Sequence, residues 1–276
     1  MSKLNLQNLN TKKKLLISGV ILLLVLAAVT IFNSQKQKTV EPVATPNTKK
    51  KVTSPINVIA VEQRPYLRLE PSSDGHYITI TVLEVKKAAS QLNYEMEYQT
   101  GSMLQGFGGL IDLTNLPVTD TKLFGSQSAG GAITYHEDIK GGNLLAEFSG
   151  TENYAVKSAW RYFANSGKAS EFTSQDTKFT INNQALSKHT YIIIYNSPGY
   201  PGEIDGELLS DPYVVTSEKS LKTISSNFTV SIRSSEAGQI MGYDGSKWQE
   251  MDSEYTDGVV QASGPAMDVY VLVKKS

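Results

Sequence analysis

The sequence contains no cysteine. This excludes a disulfide framework, a thiolate metal site, a lipidated cysteine anchor and a cysteine nucleophile. Because many exported eukaryotic domains carry disulfides, an exported chain without cysteine favours a prokaryotic source. Histidine is scarce too: His76, His136 and His189 lie too far apart along the chain for the paired spacing of a zinc motif.

A shortage of positive charge characterises most of the chain, although the net charge is only −1. Residues 1–55 hold nine lysines and one acidic residue, Glu41. Subtracting these from the totals of 26 basic and 27 acidic residues leaves 17 and 26 in residues 56–276, a net charge of −9. Nucleic-acid binding depends on neutralising phosphates, so we expect no nucleic-acid partner. An acidic body is compatible with divalent cations or with a basic partner.

One long hydrophobic run is present, and it covers residues 15–32 (LLISGVILLLVLAAVTIF). As a helix it would measure about 27 Å, close to the hydrocarbon thickness of a bilayer. We predict a single-pass transmembrane helix, a signal anchor that contacts the lipid bilayer through residues 15–32. The alternatives are a cleaved signal peptide, whose apolar region is normally shorter, and a buried core helix.

The flanks of this run predict its orientation. The short segment 1–14 carries the cluster Lys12–Lys14 and is predicted to be a cytoplasmic tail. The body then lies on the extracellular side of the cell membrane. Residues 33–55 are polar, contain three prolines and show no periodicity, so we predict a flexible stalk. An ordered extended arm is the alternative.

Beyond Pro55, apolar and polar residues alternate in short runs, which is the pattern of β-strands. The clearest run is Leu92–Gln99, and similar alternation occurs in His76–Val85, Asn143–Phe148, Tyr154–Tyr162, Asn227–Ile232 and Met267–Val273. Thr190–Asn196 has an unbroken apolar centre instead, which predicts a strand covered on both faces. Two turns are expected, a hairpin at Gly141-Gly142 and a turn at Gly150–Asn153.

The seven small or polar residues Ala164–Ser170 divide the body into predicted domains at 56–165 and 166–276. Turn residues recur roughly every 8–12 positions, which suits sandwiches. The runs Tyr243–Trp248, Val259–Ala262 and Asp268–Leu272 resemble the last strands of exported bacterial Ig-like sandwiches. The predicted fold is all-β, with two Ig-like β-sandwich domains behind an N-terminal transmembrane helix.

Four short segments contain residues of the types that bind ligands or catalyse reactions. His136-Glu137-Asp138 follows a strand, and alternation would let His136 and Asp138 share a cation. Ser126–Gly130 contains part of a nucleophile-elbow motif but lacks its first glycine. Gly106–Gly109 fits no phosphate-binding spacing, so we expect a bulge or tight turn there. Asp252–Gly258 could bind calcium, although Asp-Gly pairs are also common hairpin turns.

Three aromatic residues have side chains that can stack on sugars. Tyr200 lies between glycine and proline, so we expect it to be exposed in a loop. Trp160 and Trp248 lie on alternating strands, so we expect both in a core. No catalytic, cofactor-binding or metal-binding residue is assigned, and no cofactor is expected.

These observations predict a membrane-anchored binding, adhesion or structural module at the surface, whose partner is a protein or an envelope polymer on the exported side. An enzyme is less favoured but stays open. The alternatives are an exported hydrolase acting on cell-envelope polymers and a subunit of a larger membrane complex.

Overall fold

A computed structural model describes residues 54–274 of the chain. The predicted cytoplasmic tail, the predicted transmembrane helix (15–32) and nearly all of the predicted stalk therefore lie outside the described residues. Within residues 54–274, no helix is long and apolar enough to cross a membrane.

The described chain is all-β, as predicted, and its helical segments are three short 3-10 turns at Val61–Gln63, Gln184–Lys188 and Leu221–Thr223. The strands are β1 (Tyr66–Pro71), β2 (Tyr77–Glu84), β3 (Gln91–Thr100), β4 (Met103–Asp112), β5 (Val118–Leu123), β6 (Gly125–Gln127), β7 (Ile133–Tyr135), β8 (Ile139–Ser149), β9 (Tyr154–Ala164), β10 (Glu171–Thr173), β11 (Phe179–Asn182), β12 (Tyr191–Asn196), β13 (Tyr213–Ser217), β14 (Phe228–Arg233), β15 (Gly238–Tyr243), β16 (Trp248–Glu250), β17 (Ser253–Thr256), β18 (Val259–Gly264) and β19 (Val269–Lys274).

A nine-stranded antiparallel sheet dominates the fold, in the order β16-β15-β19-β13-β12-β9-β8-β3-β4. A three-stranded sheet, β1-β2-β5, and a five-stranded sheet, β10-β11-β14-β18-β17, accompany it. Strands β6 and β7 form a separate hairpin.

Two hydrophobic cores lie on opposite faces of the nine-stranded sheet. The first core lies between that sheet and the three-stranded sheet, and the second core lies between it and the five-stranded sheet. Strand β12 shows the division, because Ile193 and Tyr195 point into the first core while Ile192 and Ile194 point into the second. The prediction that Thr190–Asn196 is covered on both faces is therefore confirmed.

The period-two runs are confirmed as strands whose apolar residues are buried. In β3 the four alternating residues Leu92, Tyr94, Met96 and Tyr98 all point into the first core. The turn predicted at Gly150–Asn153 joins β8 to β9. The hairpin predicted at Gly141-Gly142 is wrong, because both glycines lie inside β8, next to a register shift opposite Gln99 and Thr100 of β3.

Close packing explains the first of these glycines. Gly141 has a φ of +100°, and a Cβ there would lie 2.3 Å from the carbonyl oxygen of Trp160. Only glycine tolerates that conformation and that approach, so the pair marks an irregularity within a strand rather than its end.

The predicted boundary at residue 165 falls between β9 and β10. Strands from both sides of it share the nine-stranded sheet, since β9 pairs with β12 from Tyr191↔Ala164 to Tyr195↔Trp160. Asn165 organises the intervening loop, because its Nδ2 donates to the carbonyl oxygens of Ala169, Leu186 and His189 at 3.0–3.1 Å. The division into two domains stays a prediction.

Candidate functional site

The nine-stranded sheet has a covered half and an open half. Strands β12, β13, β19 and β15 carry core residues on both faces. On β4, β3 and β8, one face contacts the first core and the other is partly or fully exposed. We call this exposed surface the open face; its residues include Leu104, Gly106, Gly108 and Leu110 on β4, Asn93, Glu95 and Glu97 on β3, and Asn143, Leu145 and Glu147 on β8.

Two glycines leave a strip without side chains on the open face. In the β3–β4 ladder, Gly106 lies opposite Glu97 and Gly108 lies opposite Glu95. A Cβ at Gly106 would lie 2.9 Å from the carbonyl oxygen of Met96, and one at Gly108 would lie 2.8 Å from that of Tyr94. The close approach of β4 to β3 therefore requires both glycines.

The bulge or tight turn predicted at Gly106–Gly109 is wrong. Strand β4 pairs with β3 residue for residue from Met103 to Asp112, with no register shift. Gly109 points into the first core, where a Cβ would lie 2.7 Å from both Asp120 Oδ2 and the Tyr94 ring. The glycines thus allow close contact on both faces of a regular strand.

Carboxylates and amides make the open face acidic and polar. Glu95 and Glu97 stand on β3, and Glu147 stands on the neighbouring strand β8. Asn93 Nδ2 donates to Glu147 Oε2 at 3.2 Å. The side chains opposite the two glycines are therefore negative, and an approaching partner would meet them across the glycine strip.

The outer edge of β4 is unpaired within the described part of the chain, since no main-chain hydrogen bond from another strand reaches it. Its ten residues contain one charge, Asp112, at the end. The other edge strands follow the usual protection of sheet edges by short length, charge or proline. Strands β10, β16 and β17 have three or four residues, β1 carries Arg68, Glu70 and Pro71, and β5 carries Asp120 and Lys122.

A cleft of about 390 Å³ lies where the open face meets the five-stranded sheet, and its walls include Asn143 and Asp176. The Asp176 carboxylate accepts hydrogen bonds from Asn196 Nδ2 at 3.0 Å, Tyr213 Oη at 2.8 Å, Lys178 N at 3.0 Å and Ser174 Oγ. Burial alone would raise the pKa of Asp176, but these hydrogen bonds outweigh it and hold the pKa below its usual value. Asp176 therefore joins the two sheets, and its oxygens are occupied by the protein.

A second cavity of about 440 Å³ lies near Glu218, whose carboxylate accepts the main-chain N–H groups of Thr190 and Tyr191 at 2.9 and 3.1 Å. Beside it, His189 Nδ1 lies 2.6 Å from Ser217 Oγ. The sequence does not predict this pair, because the two residues are 28 positions apart and no local motif links them.

The positions of the protons indicate that the serine–histidine pair has a structural role. Ser217 Oγ donates its one proton to the carbonyl oxygen of Lys219 at 2.6 Å, so His189 Nδ1 must be the donor toward Ser217. A histidine that donates at this nitrogen cannot take the serine proton there. Burial lowers the pKa of His189, which favours the neutral ring.

The predicted sharing of a cation by His136 and Asp138 finds no support in the geometry. His136 Nδ1 lies 2.8 Å from Tyr98 Oη, while the Asp138 carboxylate pairs with Lys140. Across residues 54–274, no group of three histidine, aspartate or glutamate side chains could hold a metal ion. Ser128 closes the β6–β7 hairpin through its main chain, donating to Ala132 O at 2.9 Å.

The acidic loop Asp252–Gly258 forms part of a hairpin. Strand β17 leads into the Asp257-Gly258 turn, where both residues have positive φ, and β18 follows. This is the two-residue turn that Asp-Gly pairs favour. A comparable turn occurs at Asp244, whose carboxylate accepts from Ser246 N and Lys247 N at 2.8 and 2.9 Å. These hydrogen bonds hold the pKa of Asp244 well below its usual range.

The aromatic residues are mostly packed. The prediction that Tyr200 is exposed is wrong: it is 2% exposed, with Lys86 over its ring and Trp248 against it. Trp160 is fully buried in the first core, as predicted. Trp248 is partly buried against the same core and donates through its indole N–H to Pro201 O at 3.0 Å.

No family model matches the chain, and comparisons with curated proteins and with solved structures give no significant match. The open face, the unpaired edge of β4 and the two cavities are therefore the features that bear on function.

Proposed function

We propose that this chain is a single-pass membrane protein whose β-rich body binds a protein or an envelope polymer on the extracellular side. The observation that carries the proposal is the open face bordered by the unpaired edge of β4. A soluble sheet normally covers or protects such a long edge, so a surface left available serves a partner.

The cavities favour binding over catalysis. In the cleft, the Asp176 carboxylate is saturated by four donors. Near the second cavity, Ser217 and Glu218 are held by main-chain partners. Groups used in this way stabilise the protein, whereas a catalytic group must be available to a substrate. The carboxylates of the open face lie at a surface that a partner can reach.

In this proposal, the three-stranded sheet and the five-stranded sheet each form an Ig-like β-sandwich with the nine-stranded sheet, which both sandwiches share. Support comes from the two cores on opposite faces of that sheet. The shared sheet would hold both sandwiches in a fixed orientation and present the open face as one surface.

Site-specific photo-cross-linking tests the binding function. A photoreactive phenylalanine would replace Leu110 or Leu145 on the open face of the full-length chain in its own membrane, and exposed Lys188 would be the control position. We expect adducts from an open-face position and none from Lys188. Adducts of equal yield at all three positions, or none at all, would overturn the proposal. Digesting the adducts with a protease or with glycan hydrolases would distinguish a protein partner from a polymer.

The membrane orientation can be tested with single cysteines, since the chain has none of its own. In intact cells, a membrane-impermeant maleimide should label Ser102→Cys in the β3–β4 turn and should label Ser2→Cys only after permeabilisation. The reverse pattern would place the body in the cytoplasm and contradict the proposal.

A further inference from the structure

We propose that β4 binds by strand addition: an extended segment of another protein pairs with its outer edge and carries two basic residues that reach Glu95 and Glu97. This inference rests on the proposed binding function and names the class of partner. Its elements are an open hydrogen-bond ladder, a strip without side chains and a row of carboxylates behind that strip.

The ladder determines which main-chain groups of β4 are available. Strands β3 and β4 are joined by a two-residue turn, in which Gly101 has a φ of +52° and the closing pair is Thr100↔Met103. Such a closing pair exchanges two main-chain hydrogen bonds, and the pairs that follow alternate between bonded and non-bonded. The N–H and C=O groups of Leu104, Gly106, Gly108 and Leu110 therefore point outward, away from β3.

The same residues define the surface that an added strand would meet. Leu104 and Leu110 are 63% and 65% exposed, and the glycine strip lies between them. Residues directly opposite one another in a ladder share a face. An added strand would thus place one side chain beside each leucine and two side chains over Gly106 and Gly108.

The carboxylates are within reach of those two side chains. Across an antiparallel sheet, a bonded pair and a non-bonded pair together separate the outer Cα atoms by about 10 Å. A lysine or arginine over Gly106 can cover that distance toward Glu97, and one over Gly108 can do so toward Glu95, because no side chain stands between them. Where β4 carried ordinary residues, their side chains would block this approach.

The expected recognition pattern is apolar-x-basic-x-basic-x-apolar. The two apolar residues would pack on Leu104 and Leu110, and the two basic residues would pair with Glu97 and Glu95. The pattern reads the same in both directions, so either strand orientation satisfies the charges. Cross-strand pairs of opposite charge are favourable, and like charges are unfavourable.

A second copy of this chain fits the surface poorly. The outward residues of β4 are Leu104, Gly106, Gly108, Leu110 and Asp112, and none of them is basic. Pairing β4 with β4 would bring no basic side chain to either row of carboxylates. A polysaccharide lacks the peptide ladder that the outer edge presents. Charge and main-chain chemistry therefore favour a different polypeptide.

Two designed peptides can test this inference on the full-length chain in lipid nanodiscs. The first contains Val-Thr-Lys-Thr-Lys-Thr-Val, and its control replaces both lysines by glutamates. Fluorescence anisotropy would measure binding at low and high salt. We expect the lysine peptide to bind at least tenfold more tightly than the control and to weaken as salt rises. Equal binding of the two peptides would overturn the inference.

Protein variants locate the contact. The double variant Glu95→Gln/Glu97→Gln should weaken binding of the lysine peptide by about tenfold, the sum of two partly exposed ion pairs. The matched control Glu147→Gln lies on the same face but one strand further from β4, and it should leave binding unchanged. A loss per removed charge that is as large in Glu147→Gln as in the double variant would indicate attraction by overall charge and would contradict strand addition.

Hydrogen exchange supplies a readout specific to strand addition. Binding should slow exchange of the outward amides of Leu104, Gly106, Gly108 and Leu110, with no such change in β17, an edge strand of the five-stranded sheet. Binding without protection of β4 would overturn the inference, as would peptide-independent dimerisation of the chain.

The two proposals fail in different ways. Adducts at Leu145 without peptide protection of β4 would leave a binding function that does not use the edge strand. Absence of adducts at both open-face positions would contradict the binding function itself.

Discussion

The covered and open halves of the nine-stranded sheet have the same backbone architecture but different sequence patterns. In the covered half, four consecutive apolar residues of β12, Ile192 to Tyr195, are fully buried. In the open half, β3 buries every second residue and exposes amides and carboxylates between them. The difference shows that the number of packed faces, rather than strand geometry, determines the sequence period.

The halves also differ in how they use polar groups. Asp176, Asn196 and Tyr213 form hydrogen bonds that connect the five-stranded sheet to the covered half. In the open half, Glu95 and Glu97 stand at a surface beside the unpaired strand β4. Polar groups therefore contribute mainly to stability in the covered half, and in our proposal they contribute to recognition in the open half.

The largest expected effect comes from truncating a side chain in the covered half. Ile194→Ala removes buried methyl groups from the second core and should lower the free energy of unfolding by about 2–5 kcal/mol. Leu145→Ala, its match on the open face, should lower it by less than about 1 kcal/mol, because Leu145 is only partly buried. Pulse proteolysis of the full-length chain across a urea series would measure both. Similar losses would mean that the two halves do not differ as described.

A smaller effect is expected at the link between the sheets. Asp176→Asn should cost about 1–2 kcal/mol, since a neutral amide cannot accept all four hydrogen bonds. The folded-state pKa of Asp176 is lowered, so its contribution is present above the unfolded value of about 3.9 and is lost as pH falls below it.

The stability difference between wild type and Asp176→Asn should accordingly be largest near pH 6 and shrink toward pH 3. Asp138→Asn, at an exposed ion pair, is the control and should differ little from wild type at either pH. A difference that grows on acidification would contradict the assigned role of Asp176.

A pH effect is also expected at His189, which is a base that is neutral in the folded state, whereas Asp176 is an acid that is charged there. Burial lowers its pKa, so the neutral ring contributes stability above the unfolded pKa of about 6.5, and this is lost as pH falls below that value. Wild type should therefore lose stability between pH 8 and pH 5 relative to His189→Gln, which keeps a donor near Ser217 but does not titrate. Parallel pH profiles for the two proteins would show that His189 does not contribute.

Much of the fold follows from local alternation, because burial on one face leaves a period of two in the sequence. This period predicts strands β2, β3, β8 and β9, and the unbroken apolar run predicts the covered strand β12. The sequence does not predict the shared nine-stranded sheet, because the pairing of β9 with β12 joins segments that no local pattern relates. The cores on opposite faces depend on that pairing.

The site was harder to predict, because its features depend on contacts between distant segments. From the sequence, Gly106 and Gly108 are expected to be turn or bulge residues. Their actual role follows from the nearby carbonyl oxygens of β3, which the sequence does not reveal. The sequence predicts that Tyr200 is exposed in a loop, but Lys86 and Trp248 pack against its ring. An unpaired edge has no signature of its own, since it is defined by the absence of a neighbouring strand in the described chain.

The smallest expected effect concerns the polar pair on the open face. Asn93 Nδ2 and Glu147 Oε2 are 3.2 Å apart and partly exposed, so water can replace either partner. Asn93→Ala should change the free energy of unfolding by less than about 0.5 kcal/mol, and a double-mutant cycle with Glu147→Ala should give a coupling of similar size. A coupling above about 1 kcal/mol would show that the open face is held together by its own polar contacts. A small coupling would show that the Asn93–Glu147 pair contributes little to stability, which leaves these two residues available for contacts with a binding partner.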